Sequence, residues 1–359
     1  MNTIDNALPA APHAAAPRSA GHVHSTSKFK LLLKREYWEH KGGILWAPAI
    51  AGLLFLLVTL MGGGVGQLAL NKFRANADGM ATINGVQVPA SELDLDQLLA
   101  SASASDLAQY GQAVNAATML SGIWPVLVFG VVVFFYLLGA LYDERKDRSV
   151  LFWKSLPVSD GLTVWSKVVF ALVIGPLIAV ALALALMLAT GIVASVFIAI
   201  NGGNPLELYW SHLDPLRLIG MSLAWLPLYV LWSLPTVGWL LLCSAWAKSK
   251  PFLWALLLPL GAGLLLGWFE MMTKLDVSEW FWEQIVPRLL LGTWPGSHLF
   301  AAHANGYGIM VNEPDDLNDL MARVVSLDLL ASPSLWIGVV AGVAMIFAAI
   351  RLRRWRDEG

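Results

Sequence analysis

Six stretches of this chain contain no Asp, Glu, Lys, Arg or His: 43–66, 119–142, 168–200, 218–247, 252–269 and 333–350. As helix, about 20 residues cross the hydrocarbon core of a bilayer, so each run is close to or beyond the length of a span. Pro48, Pro125, Pro176, Pro227, Pro235 and Pro259 fall inside them. Each removes a backbone donor, which a soluble helix tolerates poorly and a packed membrane bundle re-satisfies. The whole chain is 57% hydrophobic and 13% charged, against about 45–50% and about 25% for a soluble domain. The expected fold is an all-α integral membrane protein with six transmembrane helices.

The cations are sorted by side. Lys28, Lys30, Lys34, Arg35 and Lys41 precede the first run; Arg145, Lys146, Arg148, Lys154 and Lys167 lie between the second and third; Lys248 and Lys250 follow the fourth; Arg351, Arg353, Arg354 and Arg356 follow the sixth. Lys72, Arg74, Arg217, Lys274, Arg288 and Arg323 fall on the alternate segments, spread over longer loops with acids such as Asp94, Asp96, Asp315 and Asp316. The positive-inside rule then predicts both termini in the cytoplasm. A formal net charge of -2 gives no reason to expect nucleic acid as a partner, whereas the lipid bilayer is required. The lone cysteine, Cys243, excludes an intrachain disulfide.

The remaining segments are read from their own composition. Residues 1–27 are rich in Ala, Pro and Ser and suggest a disordered cytoplasmic tail whose His22 and His24 are solvated. Residues 28–42 place Phe29, Leu32, Leu33 and Tyr37 at helical spacing; this fits an amphipathic interfacial helix and equally a basic flank that fixes orientation. In the outer segment 67–118, Asn84-Gly85 between Ile83 and Val86 is a hairpin signal, and Ser91 is placed to cap a short helix. The second outer segment, 270–332, is strongly apolar but interrupted by Glu283, Pro287, Arg288 and Pro295-Gly296, which predicts short re-entrant or interfacial helices before the last span. His298 and His303, five apart, are off the spacing that would align two metal ligands on a helix.

Nothing here supports catalysis. The chain has no phosphate-binding Gly-x-x-x-x-Gly-Lys-Ser/Thr loop, no His-Glu-x-x-His and no Gly-x-Ser-x-Gly. Uncharged spans also argue against an intrinsic proton relay, so energy for any transport is expected from a separate partner; Na⁺ coupling through backbone carbonyls stays open. Trp225, Trp232, Trp239 and Trp246 recur every seven residues along the fourth span, a stripe that drifts about 20° per heptad. It serves either as helix packing or as an aromatic wall along a substrate path.

Residues 141–160, LYDERKDRSVLFWKSLPVSD, are the most charge-dense break between two spans. A charged stalk, Asp143 to Arg148, leads to Val150, Leu151, Phe152 and Trp153, then to Pro157, which cannot continue a helix interior, and to Ser159, placed to cap the next one. An apolar tip on a cytoplasmic loop marks a docking surface or a contact with the membrane face. With Glu144, Ser149, Val150 and Leu156-Pro157-Val158-Ser159, this stretch resembles the loop after the second span in permease subunits of ABC-2 type transporters. It departs from the family pattern at Arg148, where a glycine is common. The motif covers about 20 residues, and the predicted architecture from Lys28 onward is similar to that of the family.

The resemblance implies a type V exporter-like permease fold in a bacterial cytoplasmic (inner) membrane, a second permease subunit forming a homo- or heterodimer, and a cytoplasmic ABC ATP-binding subunit that holds ATP and Mg while this chain holds no cofactor. Residues 143–167 would be the coupling loop. Glu144, Arg145, Asp147 and Arg148 would be flanking charged contacts, and Val150, Leu151, Phe152, Trp153 and Leu156 the apolar anchor. Translocation of an apolar or amphipathic substrate is the expected role; a membrane scaffold for an assembly pathway, or a channel or carrier that needs no ATPase, are the alternatives.

Overall fold

The first membrane-crossing helix starts well outside its apolar run. The structure is a computed structural model that describes residues 25–75, 80–83, 86–89, 102–147, 158–273, 278–297, 323, 325 and 328–356. Helix α1 (Ser25–Lys41) passes through a π-helical turn, Gly42–Trp46, into α2 (Ala47–Ala75). From Lys28 to Ala75 alone the continuous helix counts 48 residues, far more than the 43–66 predicted for the span. Gln67, Lys72 and Arg74 add polar character beyond Gly66 but keep good helix propensity, and Asn71 is a weaker helix former among them. Gln67 and Arg74 also bond the Asn201 side chain at 3.0 and 3.1 Å, which ties this extension to the far end of the third span.

Strands β1 (Met80–Ile83) and β2 (Val86–Pro89) pair antiparallel with Ile83 opposite Val86. That register leaves two residues for the connection, as the Asn-Gly signal predicts. The helix expected after Ser91 lies outside the described residues. Instead α3 (Ala104–Ser121) begins at a capping box: the Asp106 amide donates to the Ser103 hydroxyl at 3.2 Å and the Ser103 amide donates to the Asp106 carboxylate at 3.1 Å. A turn at Gly122 leads to α4 (Ile123–Gly139), and a second turn to α5 (Tyr142–Lys146).

Helix α6 (Asp160–Val169) is followed by another π-helical turn, Phe170–Ile174, and by α7 (Gly175–Ile200). Ser159 caps α6 as its position after Pro157 predicts, its hydroxyl accepting from the Leu162 amide at 3.3 Å. The sequence reading of 143–167 as loop is corrected here: 160–167 are the opening turns of the third membrane-crossing helix. The fourth span is α8 (Pro215–Trp246), unbroken through Pro227 and Pro235, and the fifth is α9 (Pro251–Thr273). Ser278–Trp280 and the π-turn Phe281–Ile285 lead into the short α10 (Val286–Leu290). Finally α11 (Pro333–Arg356) closes the set of six helices that, among the described residues, are long and apolar enough to cross a membrane.

Helix α10 enters among the spans. The Thr236 hydroxyl of α8 donates to the Arg288 carbonyl at 2.7 Å and accepts from the Gly292 amide at 3.0 Å. The Arg288 guanidinium donates to the Ser334 and Leu335 carbonyls of α11 and lies 4.5 Å from the Trp232 ring. Thr236 is ten residues from the end of α8, so this segment reaches in among the long helices. The long helices therefore still enclose a cation, delivered by the short helix α10.

The core lies between α4, α6, α7, α8 and the inner part of α11, with Phe129, Leu137, Phe170, Leu241 and Ile346 fully enclosed. Helices α8 and α11 approach backbone to backbone. A Cβ added at Gly342 would lie 2.5 Å from the carbonyl carbon and oxygen of Leu234. This is the close contact that small residues permit between membrane helices. Gly338, one turn earlier, leaves the space that the Arg288 guanidinium fills.

Candidate functional site

At the end of the bundle where α1, α5, α6 and α11 meet, the chain builds a buried charge cluster. On α1 the inward face consists of Leu32 and Glu36, flanked by Leu33, Tyr37 and His40. The predicted apolar face is present, but a carboxylate stands at its centre. Instead of resting wholly against a membrane surface, α1 sets this face on α6.

Glu36 is 0% exposed and Lys167 2%. The Lys167 ammonium lies 2.9 Å from Glu36 and 3.0 Å from Glu144. The Arg353 guanidinium lies 2.7 Å from Glu144 through Nη1 and 3.3 Å from Asp160 through Nε, and Arg35 adds a contact to Glu144 at 3.5 Å. The Tyr136 hydroxyl donates to Glu36 at 2.8 Å. Three carboxylates, Glu36, Glu144 and Asp160, thus face three cations, Lys167, Arg353 and Arg35.

Charges this deep are tolerated only in mutual company, and removing one partner of a buried pair typically costs about 3–5 kcal/mol. Burial pushes the Glu144 carboxyl up, but Lys167 and Arg353 outweigh it and hold its pKa below the ordinary carboxylate value. Glu144 is therefore ionised at neutral pH, and its contribution fades only as pH falls through that lowered pKa.

The same end shows where the expected docking residues lie. Glu144 turns inward, which amends its expected role as a contact flanking a partner. Arg145 also turns inward, donating to the Ser244 and Ala247 carbonyls at 2.6 and 3.0 Å. There it satisfies carbonyls left open at the C-terminus of α8, where a cation also complements the helix dipole. The Ser244 hydroxyl accepts from the Leu141 and Tyr142 amides at 3.0 Å each, so α5 is fastened to α8. Asp147 is exposed. Arg148, Val150, Leu151, Phe152, Trp153 and Leu156 lie outside the described residues, as do His22, His24, His298 and His303.

Trp225 and Trp232 of the tryptophan stripe are buried, Trp239 is half-buried and Trp246 is exposed. Trp225 meets Tyr229 at 4.7 Å between ring centroids, Trp232 lies under Arg288, the Trp239 indole donates to the Ala255 carbonyl at 3.1 Å, and Trp246 meets Trp254 edge-on at 5.1 Å. Trp232, Trp239 and Trp246 thus touch α9 or α10, while the Trp225 contact stays within α8. A separate apolar crevice of about 320 Å³ opens between α4, α9 and α10, lined by residues including Phe134, Phe135, Leu256, Pro287 and Trp294.

In sequence, Lys167 and Arg353 read as orientation charges, and Glu36 and Asp160 do not stand out from other charges at helix ends. A signal was present in α6, where Lys167 shares the face of Thr163, Val164 and Val168 rather than the opposite one. Comparison with known proteins adds no relative: no family model, no curated protein and no solved structure matches this chain.

Proposed function

We propose that this chain is the membrane-spanning permease subunit of an ATP-driven ABC-2 type transporter. It works with a separate ATP-binding subunit and a second permease copy in a bacterial cytoplasmic membrane to translocate an apolar or amphipathic substrate. The observation that carries the reading is the pair of anchored feet at Glu144 and Asp160. They bracket the apolar sequence VLFW, and both are held in a buried ionic cluster with the first and last long helices. A partner that pushes on a segment with fixed feet moves the spans, whereas a slack loop would absorb the motion. The residue pattern Glu144, Ser149 and Leu156 to Ser159 supports the same family, and the apolar crevice beside α10 suits a lipid-like or amphipathic cargo.

The test is co-purification from gently solubilised membranes of the source cells. A nucleotide-binding subunit and vanadate-sensitive ATP hydrolysis are expected to travel with the tagged chain. A folded preparation that carries neither leaves the scaffold or ATPase-independent carrier as the better description.

A further inference from the structure

One guanidinium bridges the two feet of the segment between α5 and α6. Arg353, 3% exposed, contacts Glu144 before that segment at 2.7 Å and Asp160 after it at 3.3 Å. It stands near the end of α11, whose Gly342 lies against the backbone of α8. A planar fork suits this task, because its separate nitrogens engage two carboxylates at once in a fixed geometry, which an ammonium cannot do.

We propose that Arg353 is a positioning residue that makes the last helix follow any movement of these two feet and passes the movement to α8 through the Gly342 contact. The inference rests on the permease reading for the origin of the movement, while the bridge itself is a property of this chain alone. Lys167 and Glu36 fix the cluster to α1, whereas Arg353 is the described cation that touches both Glu144 and Asp160. Its loss therefore separates the feet from α11 and leaves the lysine pairings in place.

The experiment uses the full chain in nanodiscs with whatever ATPase co-purifies, and compares Arg353→Gln and Arg353→Lys with Arg351→Gln, an exposed cation on the same helix. Spin labels at Asp147→Cys and Ser159→Cys report the separation of the feet, and labels at Ser159→Cys and Trp355→Cys report whether α11 follows. Without nucleotide, the foot-to-foot distance distribution is expected to broaden in both Arg353 variants and to stay narrow in Arg351→Gln. With ATP, ATPase retention and hydrolysis are expected to persist while the coupled movement of α11 falls by at least about fivefold, the low end of allosteric couplings.

Narrow distributions and full ATP-driven movement in the Arg353 variants would overturn the proposal, as would loss of the ATPase itself, which would make Arg353 a docking residue. If Arg353→Gln does not assemble, Arg353→Lys is decisive, since it keeps the buried charge and loses the fork. If no ATPase accompanies the wild type, the permease reading fails while the foot-to-foot distances still decide the bridge.

Discussion

Gly342 shows how one missing side chain sets the arrangement of the bundle. An added Cβ there meets the main chain of Leu234 and Pro235, and a main chain held in a helix cannot rotate aside as a flexible side chain does. Gly342→Ala is therefore expected to destabilise the folded chain by about 1–3 kcal/mol, the usual cost of overpacking, read as a lower thermal unfolding midpoint in detergent. Gly64→Ala, with open space around its Cβ, is expected to leave the midpoint unchanged or raise it. Nothing in GVVAG distinguishes its two glycines on paper. Gly342 accommodates a neighbouring backbone and Gly338 a guanidinium, and that difference depends on which helices are neighbours. Glu36, Glu144, Lys167 and Arg353 were hidden for the same reason, since the paired residues lie more than a hundred positions apart in several cases and each alone resembles an ordinary charge at a helix end.

At the level of elements, the apolar runs were legible because burial in lipid demands length and the absence of charge, and both can be read along a line. Their ends were less so. Helices α2, α6 and α11 continue into polar sequence where side chains find partners: Gln67 and Arg74 on Asn201, Lys167 and Arg353 in the charge cluster. The apolar sequence VLFW between two anchored ends, Glu144 and Asp160, is the expected docking element. Trp153→Asp, or Val150→Asp with Leu151→Asp, is expected to lower retention of the ATPase, each lost anchor costing on the order of 1–2 kcal/mol if it is a hot spot. Membrane insertion should be unaffected, because Asp147 and Ser159 lie beyond the described helix ends. Wild-type retention by these variants would remove the docking assignment.

For the molecule as a whole, six spans would place both termini on one side, and the distribution of Lys and Arg predicts the cytoplasmic one. The ionic contacts among α1, α5, α6 and α11 require that the N-terminal helix and the end of the last helix share a face. Impermeant maleimide applied to intact cells is expected to label Ser105→Cys and to spare Lys30→Cys and Arg354→Cys until the cells are opened, in a Cys243→Ser background. Labelling of Lys30→Cys in intact cells would reverse the orientation.

Both π-turns near this face, Gly42–Trp46 and Phe170–Ile174, sit where α1 and α6 hand over to the membrane-crossing helices. A π-turn closes its hydrogen bond one residue later than an α-turn and so holds one residue in reserve. Returning that residue to the ladder turns everything before it by about 100° about the helix axis. Such a rotation would take Glu36 and Lys167 out of their pairing, so the buried charges hold both turns wound as they are.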